Sequence, residues 1–216
     1  PPPLCDDGAI IDALVAAGLL VAQVATGQPH SSAAAVMIDD AAAARTMTEH
    51  LLSLGHRRIG FIEGAANQSA SQCRRQGFEA AMQAAGLAVP ADCLRTGDFT
   101  YRSGMIAAEQ LLDSGVTAIF ASNDDMAAAS VAAAHRRGLD VPGQVAIAGF
   151  DDSAMATTIW PMLTTIRQPI AEMAGRAVNL IARQAASVGL NGGCPIRETL
   201  LFALIEREST GQVGTH

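Results

Sequence analysis

An α/β fold built on parallel strands is what this sequence predicts, and three patterns predict it. Short apolar runs alternate with longer helical segments along the whole chain. Several of those helical segments stop at a glycine: Gly18, Gly55, Gly86 and Gly138. Polar clusters follow three of the apolar runs at once. Strands separated by helices imply right-handed crossovers, hence parallel sheets covered on both faces.

The elements follow in order. Asp6–Ala17 reads as a helix opened by Asp and closed at Gly18. Leu19–Val24 is a short apolar strand, Thr26–Ala35 a loop rich in small and turn-forming residues, and Val36–Ile38 a strand. Asp39 or Asp40 can cap the helix Ala41–Leu54, since a carboxylate accepts from free N–H groups at a helix start. Gly55 closes that helix in a left-handed turn. Ile59–Ile62 is a buried strand, and a helix opened by Ser69 or Ser71 runs to Ala85. Then come a strand at Cys93–Thr96, a helix at Tyr101–Asp113, a strand at Ala118–Ala121 and a helix at Asp124–Arg137. Val145–Phe150 and Thr164–Ile166 read as strands, Ile170–Ser187 as a helix and Leu200–Ile205 as a last strand. Asn191-Gly192-Gly193 marks an exposed turn.

Composition excludes several function classes. With 216 residues, half of them hydrophobic, the chain can bury the core of one domain or two small lobes. It is not a disordered chain. The net charge of −7 argues against a duplex-binding face, which is normally basic. All fourteen basic side chains are Arg, and their pairs (57–58, 74–75, 136–137) stand isolated without interleaved aromatics. No apolar run is long enough to span a bilayer, and Pro1–Asp7 reads as neither a signal nor a transit peptide. Cys5, Cys73, Cys93 and Cys194 are scattered, so the expectation is free thiols in a cytoplasmic protein, with no metal and no cofactor.

Ligands of open α/β sheets sit beyond the carboxyl ends of the strands. Three polar stretches fall there: Glu63–Gln72, Ser122–Asp125 and Asp151–Ser153. Asp124 by itself reads as a helix cap. Asp151 or Asp152 could serve as a base, but neighbouring residues point apart and no nucleophile is fixed by spacing. The chain has no G-x-S-x-G, no H-E-x-x-H and no Walker A loop. His56 is expected to satisfy the last carbonyls of its helix, and His135 to complement a helix end. Arg74 lies early in a helix that follows a strand end, so its planar set of donors can lean into the polar rim and hold a hydroxyl-rich ligand. Phe99 suits either a flat apolar wall for that ligand or plain core.

The sequence resembles the effector-binding region of the lac repressor/galactose repressor family of bacterial transcription regulators. The resemblance rests on 50–62 (HLLSLGHRRIGFI), 74–78 (RRQGF), 118–127 (AIFASNDDMA), 138–142 (GLDVP), 145–152 (VAIAGFDD), 163–168 (LTTIRQ) and 206–210 (EREST). These segments occur in the family's order over nearly the whole chain. The resemblance implies two Rossmann-like lobes with parallel sheets, of the periplasmic-binding-protein-like type I, with the effector held between them. By matching segments the N-terminal lobe takes residues 1–38 plus 168–198, and the C-terminal lobe 39–167 plus 199–216. The first lobe is expected to be truncated at its N-terminus, and the family's helix-turn-helix is expected to lie outside this chain.

Residue by residue, Arg74 matches the family Arg that grips the ligand, Asn123 and Asp151 match polar residues that hydrogen-bond it, and Phe99 matches the aromatic that packs on its ring. Gln168, at a crossing between lobes, is carried over more weakly. Ala70 stands where relatives often carry a hydroxyl. The implied protein is a repressor-type regulator and no enzyme. It would bind a sugar or a similar small polar metabolite, control operator DNA allosterically through a helix-turn-helix domain outside this chain, and work as a homodimer. A periplasmic sugar-binding protein of a transporter is the alternative, and an enzyme using Asp151 or Asp152 a third.

Overall fold

The computed structural model describes residues 1–186 and 195–213. The expected turn at Asn191-Gly192-Gly193, the end of the Ile170–Ser187 helix and Cys194 lie outside the described residues. The chain divides into two compact units. The first holds Pro1–Asp39, Asn67–Ala70 and Pro169–Phe202, and the second holds Asp40–Ala66, Ser71–Gln168 and Ala203–His216.

In the first unit, a 3-10 turn at Leu4–Asp6 leads into α1 (Gly8–Ala16). Asp7 caps that helix by accepting from the Ile10 N–H. The helix therefore starts later than the expected Asp6. A parallel sheet of order β1–β2–β8 follows, from β1 (Ala22–Val24), β2 (Ala34–Ile38) and β8 (Arg197–Leu200). β2 begins at Ala34, inside the stretch read as loop, because Ala34 and Ala35 are fully buried and take part in the ladder. The helix Ile170–Ala186, α7, packs on β1 and β2 through a buried stripe of Met173, Ala177 and Leu180. Those three sit at the four- and three-residue spacing of one helix face.

The second unit is a four-stranded parallel sheet, order β4–β3–β5–β6, made of β3 (Ile59–Glu63), β4 (Leu94–Thr96), β5 (Ala118–Ala121) and β6 (Ala146–Ala148). Around it lie α2 (Asp40–Ser53), α3 (Ser69–Ala84), α4 (Tyr101–Asp113) and α5 (Asp124–Arg136). The alternation of side chains along the strands feeds two cores. Phe61 and Phe120, register partners on β3 and β5, turn to one face and meet Phe78 of α3. Phe61 stacks on Phe78 at 4.8 Å and meets Phe120 edge-on at 5.3 Å. Ile62, Ile119 and Ile147 turn to the other face, against Leu111 of α4 and Met126 of α5. Gly77 of α3 lies so close to α2 that an added Cβ would overlap the Ala41 carbonyl, which explains a glycine in mid-helix.

Three sequence expectations are corrected here. The strand read as Leu200–Ile205 is two strands: β8 pairs parallel with β2, and β9 (Ala203–Ile205) pairs antiparallel with β7 (Thr165–Arg167). A six-residue apolar run has no periodicity that would reveal a change of sheet at Leu201-Phe202. The α/β reading holds, but this one ribbon is antiparallel where only parallel pairing was expected. A short helix, α6 (Met155–Thr158), was not anticipated. The compact units divide near the expected lobe boundaries but at other residues. Gln168 stays with the second unit and 199–202 with the first, because β8 belongs to the β2 sheet.

Candidate functional site

All five candidate residues, Arg74, Phe99, Asn123, Asp151 and Gln168, lie in the second unit, past the carboxyl ends of its strands. The strand order reverses direction between β3 and β5: the chain runs from β3 outward to β4, then returns to β5 and goes on to β6. Such a switch point opens a crevice between loops that diverge to opposite faces. Arg74, on the helix after β3, crosses it and donates from Nη1 to the Ser122 carbonyl after β5 at 2.5 Å.

The guanidinium of Arg74 is tightly held. Its Nε donates to Asp40 Oδ1 at 2.7 Å, and both side chains are almost wholly buried. Its Cζ lies 3.7 Å from the centroid of the Phe150 ring, a cation–π geometry, and 6.0 Å from that of Phe99. Nη1 also stands 3.7 Å from Asp151 Oδ1. Asp40 was expected at most to cap a helix. It opens α2 and balances the Arg74 charge. Neither Asp40 nor Phe150 was singled out as a site residue, because a separation of 34 residues between Asp40 and Arg74 carries no periodic signal.

Asp151 takes a φ of 113°, unusual for a residue with a Cβ. Its Oδ1 accepts from Gln168 Nε2 at 2.7 Å. Burial pushes its carboxyl up to about 7 against the pull of the Arg74 charge, with Asp124 and Asp40 adding to the rise. Near neutral pH this group therefore exists in both protonation states and can accept or donate a hydrogen bond. Gln168 is 8% exposed, and its Oε1 is a buried oxygen with no partner in the protein. A buried acceptor left unpaired is costly, so a hydroxyl or N–H donor placed there is favoured.

Asn123 is bonded within the fold at both ends of its amide. Its Oδ1 accepts from the Met126 N–H as the cap of α5, and its Nδ2 donates to the Phe99 carbonyl at 2.8 Å. Only one Nδ2 hydrogen remains for a ligand. Its bond to Phe99 helps hold that residue at φ 69°, with the ring over Gly64. A Cβ at residue 64 would overlap the ring, so the glycine is what lets the aromatic lie there.

Asp124 is not the cap it was read as. It is buried inside the first turn of α5, accepting from Thr165 Oγ1 at 2.6 Å and from the Ser153 N–H at 2.7 Å. Burial raises its carboxyl above the ordinary range. Asp152, the other base candidate, is paired with Arg167 and Arg207. Burial alone would raise it, but the two Arg partners offset that and hold it below the usual range, which suits an ion pair and not a base. The His56 backbone N–H donates to the Leu51 carbonyl of α2 at 3.2 Å, while its ring bridges Thr117 Oγ1 and the Gly211 carbonyl, each at 3.0 Å. Arg57 donates to the Leu52 carbonyl at 2.8 Å. Ala70 is buried and brings no hydroxyl to the site.

Among the described residues, no group of three His, Cys, Asp or Glu side chains could hold a metal. No helix among them is long and apolar enough to cross a membrane.

Comparison with known proteins gives the family. A family model described as a periplasmic binding protein-like domain matches residues 48–210. The HTH-type transcriptional regulator DegA of Bacillus subtilis is 36% identical over 169 residues, 78% of this chain and 50% of DegA. The HTH-type transcriptional regulator CelR of Thermobifida fusca is 35% identical over 185 residues, 85% of this chain and 54% of CelR. The chain thus spans about half the length of these relatives. A solved CelR–cellobiose complex superimposes with a TM-score of 0.87 at 33% identity, over 94% of this chain and 62% of that one. With three-quarters of its length inside the family model and its strands ordered about one switch point, the chain belongs to the periplasmic binding protein-like domain family, in the form carried by regulators of the lac repressor/galactose repressor type.

Proposed function

We propose that this chain is the effector-sensing core of a bacterial transcriptional repressor and that its effector is an uncharged sugar. The observation that carries the reading is the Arg74 fork, fixed across the switch point by Asp40 and Ser122 and set beside Asp151 and Gln168. A sugar offers a ring face for Phe99 and hydroxyls for donors and acceptors in fixed positions. Gln168 Oε1 needs a donor, and a hydroxyl supplies one. The charge balance also selects. Arg74 is already matched by Asp40, and Asp151 is ionised in part, so no excess positive charge is left to draw a phosphate or carboxylate.

Regulation is supported by the relatives, which are transcriptional regulators, and a sugar effector by the cellobiose complex of CelR. In the whole protein, effector binding shifts the population between two states that differ in affinity for operator DNA. The DNA would be read by a helix-turn-helix domain outside this chain, in a cytoplasmic homodimer matched to a two-fold operator. A transporter's solute-binding protein is the second reading. It is disfavoured because the relatives are regulators.

Calorimetric titration tests the ligand. Cellobiose and other neutral sugars are expected to bind, sugar phosphates to bind at least tenfold more weakly, and Arg74→Ala to abolish binding. Tighter binding of a phosphorylated sugar, or equal binding by Arg74→Ala, would overturn the reading.

A further inference from the structure

The loop after β6 sets two carboxylates side by side with different partners. Asp151 meets Arg74 and Gln168. Asp152 meets neither. Its Oδ1 accepts from Arg207 Nη2 at 2.5 Å and its Oδ2 from Arg167 Nε at 2.6 Å. Both residues are non-glycines at positive φ, 113° and 56°. Such a conformation persists only where the surroundings over-determine it.

The partners of Asp152 have a particular place in the chain. Arg167 ends β7 and stands in register with Ala203, the first residue of β9. The chain leaves the second unit after Gln168 and re-enters it at Ala203. Arg207 lies two residues past β9 and also donates to the Leu163 carbonyl at 2.7 Å, just before β7. One carboxylate thereby ties the outgoing strand, the returning strand and the loop. Backbone bonds join the same parts: the Asp151 N–H donates to the Ile166 carbonyl at 2.8 Å, and the Gln168 N–H to the Asp151 carbonyl at 3.4 Å.

We infer that Asp152 is a positioning residue for ligand binding, holding Asp151 toward Arg74 and Gln168 and fixing β7 against β9 through its paired bonds to Arg167 and Arg207. The part concerning ligand rests on the sugar-binding reading above. The arrangement around the loop does not. The Arg167 side chain is 54% exposed and that of Arg207 13%, so the clamp has one largely buried arm and one open arm. The open arm can be removed with little cost to folding.

The test combines hydrogen exchange with a mutant cycle in cellobiose binding. Asp152→Asn and the milder Arg167→Gln are expected to speed exchange of the Asp151 and Gln168 amides about tenfold or more, with the β3 and β5 amides unchanged. Asp152→Asn is expected to weaken cellobiose about tenfold in the native background and not at all in an Asp151→Asn background, because it acts only through Asp151. A lower melting temperature with unchanged local exchange and unchanged affinity would make the cluster a plain structural ion pair and overturn the inference. Equal weakening in both backgrounds would also overturn it. Should the native protein bind no cellobiose, the choice of that sugar fails, and the exchange pattern still decides whether Asp152 holds the loop.

Discussion

Arg74 is structurally held as well as proposed to meet the ligand, and its energetics follow from its buried pair. Its partner Asp40 has a side chain only 2% exposed. Breaking a buried pair by removing one member is costly because the other charge stays out of water. Arg74→Ala is therefore expected to lower stability by about 3–5 kcal/mol in urea unfolding. Adding Asp40→Asn should restore part of that loss without restoring sugar binding. If the double variant were no more stable than the single one, Asp40 would not be the group that Arg74 balances. Asn123 also has two roles, since its side chain caps α5 and pins Phe99. Asn123→Ala is expected to cost about 1 kcal/mol or more through the lost cap.

At the level of elements, the site depends on close approaches that only glycine allows. Gly64 follows β3 under the Phe99 ring, and its replacement by Ala displaces an aromatic already held at positive φ. Gly64→Ala is expected to cost about 1–3 kcal/mol by overpacking and to weaken sugar binding by lifting the ring. Calorimetry and thermal unfolding of the same variant separate the two effects. Unchanged affinity would remove Phe99 from the binding surface. The helices are less sensitive at their surfaces. Arg75 pairs with Glu79 one turn on and with Glu63 of β3, and its charge is stabilised by both. Such open pairs contribute little to stability.

For the whole molecule, acid response includes opposed contributions. His56 and His50 have their pKa values lowered, chiefly by burial. The unfolded chain then binds protons that the native chain resists, so stability falls as pH drops below about 6.5. Asp151 acts the other way. Its carboxyl sits at about 7 in the fold and near the ordinary carboxylate value of about 4 when unfolded. Between these values the native state holds the extra proton, so this contribution grows as pH falls from about 7 to 4. Asp151→Asn is expected to make acid destabilisation steeper in that window, and His56→Gln to make it shallower. Melting temperatures of the three proteins from pH 4 to 8 check both slopes. A shallower profile for Asp151→Asn would mean that its carboxyl is not raised.

Local chemistry settled much of this protein in advance. Alternation of apolar runs and helices predicts the layered α/β architecture, since crossover handedness leaves few alternatives. Gly18, Gly55, Gly86 and Gly138 stop their segments at the positive φ that a helix end requires. The polar rim was legible for the same reason: each stretch directly follows a strand, and parallel strands share one carboxyl edge. What sequence could not reveal depends on distance in space. Asp40 reaches Arg74, Asp152 reaches Arg207, and β9 pairs with β7. Partners separated by tens of residues leave no periodic trace, so their pairing is decided only when packing brings them together. Burial, likewise, separates Asp151 from Asp152. Adjacent and chemically identical, one is raised by desolvation and the other held down by two arginines.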